Sequence, residues 1–535
     1  MFRNGFLLFG LSALTGCTTT APSPNPLARS VNPEPAFVSS KQEVIVASAS
    51  DEPKQAEKKD RGPEIKPAIE QLTAPHSAPA IQGTTVDSSR TPLALEEVLD
   101  SVERHYPMLQ AAEEERAIAG GRLLTAMGAF DTNARFSSNN MPLGTYENYR
   151  FLTGVEQAFA GSGATLFATY RGGYGDFPIY YGERKTADGG EFRAGATVPL
   201  LRDRAIDRRR ANLQQARIGV EAADPIIDRT RLDIYRSAAR VYWVWVTAGE
   251  RLRLAQKLVD LAVERDKQLQ ALEKNKLVAP IDRVDNQQNV AARNAILIES
   301  QLRFQQASVD LSLFHRDANG QPLLPAPERL PRFPELTRPS EKDFAATLEN
   351  AYQNRPELKR LRLQREALEV ERRLAENQLL PALNSYLVGS QDIGQGKPSS
   401  GPSRLDRSSL EAGVEFQVPI QRRDAMGRVA AARAQIRQLF QQEQLARDTI
   451  RAEVQSAFAN LERAYELRRQ AQQRVTLARQ VAEAERQRLS AGDSDVLRVT
   501  LREQAVFDAE MIEIGAVAEY FRATADFQAA TGAGR

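Results

Sequence analysis

The chain repeats itself, and that constrains it more than any other feature. "LALEEVLDSVERHYPMLQAAEEERAIAGGRLLTAMGAF", from Leu93, aligns with "DFAATLENAYQNRPELKRLRLQREALEVERRLAENQLLPAL", from Asp343, when Pro107 is set on Pro356. The offset of 249 pairs Leu95 with Phe344, Leu99 with Leu348, Tyr106 with Arg355 and Leu109 with Leu358. Each copy reads as a short helix, a break before Pro, and a longer helix, because Pro is tolerated at a helix start and breaks a helix interior. A second pairing follows: "GATVPLLRDR", from Gly195, matches "GVEFQVPIQRRD" around Val418-Pro419-Ile420. After each comes a long helix, a turn with acids, and another long helix. A tandem repeat has to be settled before any fold assignment. Here one plan (helices, a β-segment, a long helix pair) is built twice, over residues 91–330 and 331–535.

In the second copy a 3-4 spacing runs through Ile450, Val454, Ala457, Leu461, Ala464, Arg468, Ala471, Val475, Ala478, Ala482, Glu485 and Leu489, and ten of these twelve are apolar. That period, near 3.5, is a coiled-coil seam. The first copy does the same at Ile234, Ala238, Val241, Trp245, Ala248, Leu252, Ala255, Val259 and Ala262. The many Ala let helices approach closely. A helix from about residue 203 to 276 would exceed roughly 100 Å. Asp224-Pro225 interrupts it as an N-cap with a first-turn Pro or as a kink. Trp245 reads as a core seam residue and Trp243 as its neighbour at a helix interface. Pro199 to Asp282 is 83 positions and Pro419 to Asp495 is 76. The difference is one heptad, and a heptad insertion keeps a seam facing its partner. The helical hairpins are expected over about 203–315 and 424–530.

Between the helices the period changes to two. "NSYLVGSQD" (Asn384 to Asp392) and "SLEAGVEFQVP" (Ser409 to Pro419) alternate polar and apolar, joined by a Gly-, Ser- and Pro-rich loop. In the first copy "TNARFSSNN" and "EFRAGATVP" take these places. Strands are thus expected over about 132–199 and 384–419. The first copy also carries an extra hairpin-like stretch, Phe151 to Gly175, with Gly161-Ser162-Gly163 as its turn. That Gly cluster is no phosphate loop, since no Lys-Ser/Thr follows it. Two strands from one repeat cannot close a barrel, and open edges are not tolerated in lipid. If these strands enter a membrane, several chains must pool them.

The sole cysteine, Cys17, forbids an internal disulfide. Arg3 and the apolar run Phe6 to Leu14 form a secretory signal peptide over residues 1–16. Leu14-Thr15-Gly16-Cys17 resembles a bacterial lipobox, which makes the Cys17 thiol the point of lipid attachment. Thr18 follows it; an Asp there would, in enteric bacteria, retain a lipoprotein at the inner membrane. Residues 17–90 are rich in Pro, Ser, Ala and Thr without apolar period, and read as a disordered tether. Within it "EVIVAS" (Glu43 to Ser48) has the look of a short strand. No later run of eighteen apolar residues exists. The net charge of +2 sets up no field that would draw nucleic acid. The three His (His76, His105 and His315) and pairs such as Glu96-Glu97 make no catalytic or metal-ligand spacing. No enzyme activity, cofactor or metal is expected.

The most specific stretch is "RLSAGDSDVLRVTLREQ", Arg488 to Gln504, where a long helix stops and reverses. Gly492 suits a positive φ, Asp493 and Ser494 suit a turn, and Asp495 can N-cap the returning helix. With the lipobox, the repeat, the strand pairs and the Ala-rich hairpins, this resembles the TolC-like outer-membrane factors, over about Thr91 to Gly534. Arg488, Gly492, Asp495, Leu497, Tyr520 and the ending "AATGAG" carry the likeness. The first hairpin, "KLVAPIDRVDNQQ", departs from it, with Lys276 where Gly is usual and Pro280 added.

The resemblance implies a mainly α fold with a β-barrel portion. Long coiled-coil hairpins would form a periplasmic tube, and three chains would each give four strands to a twelve-stranded transmembrane barrel. It implies a passive exit duct of a tripartite efflux or secretion system, working with a periplasmic adaptor and an inner-membrane pump. The extra hairpin puts the strand count in question. It also implies that the turns lie at the periplasmic tip, where Asp493, Asp495, Arg488 and Arg498, and on the first turn Asp282 and Asp285, would ring the opening. The alternative is a periplasmic coiled-coil scaffold or adaptor lipoprotein without a pore. The discriminating feature is a strand pair in each of two repeats.

Overall fold

The computed structural model describes residues 85–87, 91–177, 186–276, 278–340, 344–395 and 408–533. All lie in the unit Ala80–Arg535. The signal peptide, Cys17, the stretch Glu43 to Ser48 and the tether up to residue 84 lie outside the described residues. Near the end of the stretch read as tether, Thr85–Val86 (β1) is a strand. It pairs in parallel with β6 (Leu323–Leu324).

The chain then runs through α1 (Leu95–His105), α2 (Pro107–Met127), β2 (Asn133–Met141), β3 (Asn148–Ala158), β4 (Thr165–Gly175), β5 (Glu191–Pro199), α3 (Arg208–Lys274) and α4 (Pro280–Ser312). After β6 the plan recurs as α5 (Phe344–Asn354), α6 (Pro356–Asn377), β7 (Ala382–Asp392), β8 (Ser409–Gln417), α7 (Arg423–Ser490) and α8 (Val496–Thr531). Pro107 and Pro356 each open the longer helix of their copy, where the missing N–H costs nothing.

α3 and α7 have 67 and 68 residues, about 100 Å each. The seven-residue difference between the arms is therefore not a heptad inside the helix. The extra residues fall in the exit from β5 and in the tip turn. Pro225 sits inside α3 and opens no new helix. Asp224 beside it pairs with Arg116 of α2 at 2.8 Å. α3 packs on α2, α6, α4 and α8, and α7 packs on α5, α6 and α8. All twelve seam positions of α7 are buried or half-buried. The largest apolar core joins α1, α3, α4, α7 and α8 through Val98, Trp243, Trp245, Phe304, Leu461 and Phe521. Trp245 is fully buried with its Nε1 donating to Ser308 Oγ at 3.1 Å, and Trp243 stacks on Phe521 at 4.1 Å. Both tryptophans are core residues, as the seam reading expects.

The sheet is a six-stranded antiparallel meander in the order β2-β3-β4-β5-β7-β8. The extra hairpin, β3–β4, is paired along its whole length and inserted between the first copy's outer strands. The chain thus presents six strands where the resemblance implies four. No described helix is long and apolar enough to cross a membrane.

Candidate functional site

Two regions are the candidates for function: the tips of the helical hairpins and the sheet. In the second tip Gly492 takes φ +83°, and its N–H donates to Leu489 C=O at 3.1 Å. The Asp493 N–H closes on Arg488 C=O at 2.9 Å. Asp495 is the N-cap of α8: its Oδ1 accepts from Arg498 N–H at 2.8 Å, and its Oδ2 faces Arg498 Nε at 3.4 Å. Arg488, Gly492, Asp493, Asp495 and Arg498 are all exposed. The Arg488 and Asp493 side chains form no ion pair among the described residues.

The first tip turns differently. Lys276 itself takes φ +58°. Asp282 is not an N-cap. From the third helical position its Oδ2 accepts from the N–H of Ala279, the N-cap, at 3.1 Å. Asp495 is therefore the structural counterpart of Ala279, not of Asp282. Asp285 is exposed, and its backbone C=O accepts from Asn289.

Between the tips and the core lies an ionic cluster that the sequence reading does not single out. Glu503 of α8 is buried at 3% exposure. Arg265 of α3 donates to its Oε1 at 2.6 Å, Arg486 of α7 reaches the same oxygen at 3.1 Å, and Arg293 of α4 lies 3.8 Å from Oε2. Arg265 also donates to Thr500 Oγ1. One carboxylate thus joins all four long helices. Arg293 is itself buried and donates to Leu258 C=O at 3.2 Å. Burial pushes its guanidinium below its ordinary value, against the pull of Glu503. Nearer the turn, the buried Glu485 accepts a hydrogen bond from Ser494 Oγ, which ties the loop to α7. The signal for Glu503 lies in its spacing: Val499, Glu503 and Phe507 recur at four-residue steps on the buried stripe of α8.

In the sheet, directly paired residues share a face, so the register sorts every side chain. One face carries Phe136 of β2, Tyr149, Phe151 and Val155 of β3, Leu166 and Tyr170 of β4, Phe192 of β5, Leu387 of β7, and Leu410, Val414 and Phe416 of β8. No residue on this face is charged. Every charged strand residue, from Arg135 to Glu415, is on the other face. There Arg171 pairs with Glu191, and Arg193 lies 4.0 Å from Glu411. The uncharged face is open: Phe136 is 71% exposed, Leu410 75% and Phe192 53%.

Where β3 turns to β4, Gly163 (φ +71°) lies against the exit of β5. A Cβ there would meet the Arg210 side chain at 2.8 Å and Asp203 C=O at 2.9 Å. Arg210 is held by Asp207 and by the carbonyls of Arg204 and Asp203. This couples the extra hairpin to the start of α3.

Asp87, Glu97 and His315 place ligand-type atoms within 4.8 Å of one another. Arg329 lies among them, donating to Asp87 and to Glu97, so both carboxylates already have a cation. Burial lowers the His315 pKa and favours neutral imidazole. The set fits an ion cluster, buried at Asp87, His315 and Arg329 and exposed at Glu97, that clasps the segment of β1 to the first repeat, and no metal is needed to balance its charge.

The model of the family described as Outer membrane efflux protein matches residues 347–533. No curated protein matches the chain. Among solved structures, the CmeC outer membrane channel of Campylobacter jejuni superposes with a TM-score of 0.55 at 15% identity, covering 82% of this chain and 86% of that one. The outer membrane protein VceC of Vibrio cholerae gives 0.57 at 15% identity, covering 82% and 96%. The open-state MtrE outer membrane channel of Neisseria gonorrhoeae gives 0.57 at 16% identity, covering 84% and 94%. The chain shares their fold.

Proposed function

We propose, on the premise that this chain is a TolC-like outer-membrane factor, that it is the passive exit duct of a tripartite efflux or secretion system. The observation that carries the reading is the sheet, with its open face free of charge, joined by helices about 100 Å long to acid-bearing turns. Three copies would pool their strands into a barrel in the outer membrane and their hairpins into a periplasmic tube. Lipid at Cys17 would tether the mature chain, each buried CH₂ adding about 0.8 kcal/mol. The duct performs no chemistry, so a periplasmic adaptor and an inner-membrane pump must supply recruitment and energy.

The tip residues Arg488, Gly492, Asp493, Asp495 and Arg498 act as the gate, with Asp282 and Asp285 beside them on the first turn. A ring of these carboxylates would bind cations or neighbouring guanidinium groups when closed. Electron microscopy of the detergent-purified full chain tests the reading. A three-fold hollow tube with a barrel at one end is expected; a monomer or a solid rod would overturn it. The gate is tested by conductance: Asp495→Asn or Arg488→Ala should loosen the closed tip, and unchanged conductance in both removes these residues from gating.

A further inference from the structure

The hairpin β3–β4 sets this chain apart from the four-strand plan that the resemblance implies. We infer that β3 and β4 are membrane-spanning wall strands, so that three copies close an eighteen-stranded barrel with a wide aqueous exit. The inference rests on the duct reading above.

Three observations carry it. First, both strands have eleven residues, long enough to cross the hydrocarbon core when tilted. Second, they obey the face rule of the whole sheet. Tyr149, Thr153 and Val155 of β3, and Leu166, Ala168 and Tyr174 of β4, fall on the uncharged face. Their charges, Arg150, Glu156 and Arg171, fall on the other. A hairpin folded away in water would have no reason to keep one face free of charge. Third, the hairpin is interior to the sheet: β3 pairs with β2 over Asn148–Glu156 on one side, and β4 with β5 over Thr165–Arg171 on the other. It cannot swing out without leaving β2 and β5 unpaired, and an unpaired edge is not tolerated in lipid.

The edges of the chain's sheet agree. β2 and β8 each have nine residues and lie open along nearly their whole length. Six is an even number, so β8 of one copy meets β2 of the next antiparallel, and head-to-tail rotation closes the ring. The diameter of a barrel grows roughly in proportion to strand number, so eighteen strands give about one and a half times the width of twelve. Barrels of about 16–18 strands hold an open aqueous channel. The charged face, with Arg150, Glu156, Arg171 and Glu191, would line it. The cargo class such an opening favours is bulky and hydrated, larger than a twelve-stranded exit of the same build would pass.

The test uses the full-length protein in lipid nanodiscs. Single cysteines are placed at residues 152–156 of β3 and 166–170 of β4, Cys17 being the only native one. An aqueous maleimide should label Leu152→Cys, Glu156→Cys and Thr169→Cys, and spare Thr153→Cys, Val155→Cys and Leu166→Cys. Uniform labelling would overturn the inference and leave the duct standing. Cryo-electron microscopy of the unmodified chain counts strands independently. Three copies with eighteen strands support the inference. Three copies with twelve strands overturn it alone, two copies with twelve keep β3 and β4 in the wall but overturn the eighteen-stranded ring and the trimer, and a monomer sinks the duct reading itself.

Discussion

The two hairpin tips are copies of one plan that turn by different means. The second leaves α7 through Gly492 at φ +83° and re-enters through Asp495 as N-cap. The first puts a side-chain-bearing residue, Lys276, at φ +58° and re-enters through Ala279 and Pro280. Proline at the first helical position presets φ, and Asp282 reaches back to do part of the cap's work. The difference continues up the seams. α8 buries Val499 and Phe507 on either side of Glu503, whereas α4 buries Asn286, Arg293 and Ser300 at spacings of seven. Asn286 donates to Ala262 C=O, and Arg293 donates to Leu258 C=O and approaches Glu503. One hairpin supplies the buried acid and the other two of the three arginines that answer it. The two hairpins follow one plan, and residues in which they differ, above the tips, join them through Glu503.

The strongest way to break this comparison is to remove the shared acid. Glu503→Ala leaves Arg293 buried without a countercharge and Arg265 without its closest acid. Breaking a buried pair from one side costs about 3–5 kcal/mol. Thermal and urea unfolding of the purified protein should show that loss. The exposed Asp285→Ala should stay within about 0.5 kcal/mol. Equal effects would mean that the two tips are independent.

A smaller effect separates the turns themselves. Gly492→Ala forces a Cβ into the left-handed region, at a cost of about 1–2 kcal/mol. Lys276→Gly relieves the same strain, though glycine also loosens the unfolded chain, so the net change is a gain of at most about 1 kcal/mol. Hydrogen exchange at the tip amides is the readout: protection should fall in the first variant and hold or rise in the second. If both variants lose protection, the Lys276 side chain has a contact that its backbone conformation does not reveal.

The apolar part of this design is legible in the sequence, and the polar part is not. A period of 3.5 finds Ile450 through Leu489 because burial selects apolar residues at every step. The alternation of "NSYLVGSQD" finds β7, and the glycines at 161 and 163 find the turn of β3–β4. Whether that hairpin joins the sheet or hangs outside it depends on long-range pairing with β2 and β5, which no local pattern encodes. Glu503, Arg265 and Arg293 look like ordinary solvated charges on Arg- and Glu-rich helices. What distinguishes them is the register of four helices against one another. The tip residues stand in between: the turn Gly492–Asp495 is plain from residue type, but a search for acids pairs Asp282 with Asp495, whereas the caps pair Ala279 with it.

The smallest difference between the copies lies at the helix breaks, where the aligned residues are Tyr106 and Arg355. Tyr106 stacks on Phe314 at 5.2 Å. Arg355 is buried and holds Glu357 at 2.9 Å, Glu453 at 2.7 Å and the Ala530 C=O at 3.1 Å, and Glu357 also pairs with Arg229 of α3. Burial alone would raise the Glu357 pKa, but hydrogen bonds from Arg355 and the backbone, with the charges of Arg355 and Arg229, bring it below the ordinary 4.5. A folded-state pKa below the unfolded one stabilises at pH above about 4.5, and the stabilisation is lost as pH falls through the folded value. Glu357 keeps a quarter of its side chain in water, so the effect is about 0.5–1 kcal/mol. Unfolding across the range from about pH 6 to about pH 3 resolves it. Glu357→Gln should be less stable than the wild type at neutral pH, with the gap closing as the solution is acidified. Tyr106→Leu removes a stack that carries no titrating partner, so its deficit should stay constant over the same range. A Tyr106→Leu deficit that also closes with acid would show the two breaks to be electrostatically coupled, and the copies to differ less at this point than Tyr106 and Arg355 imply.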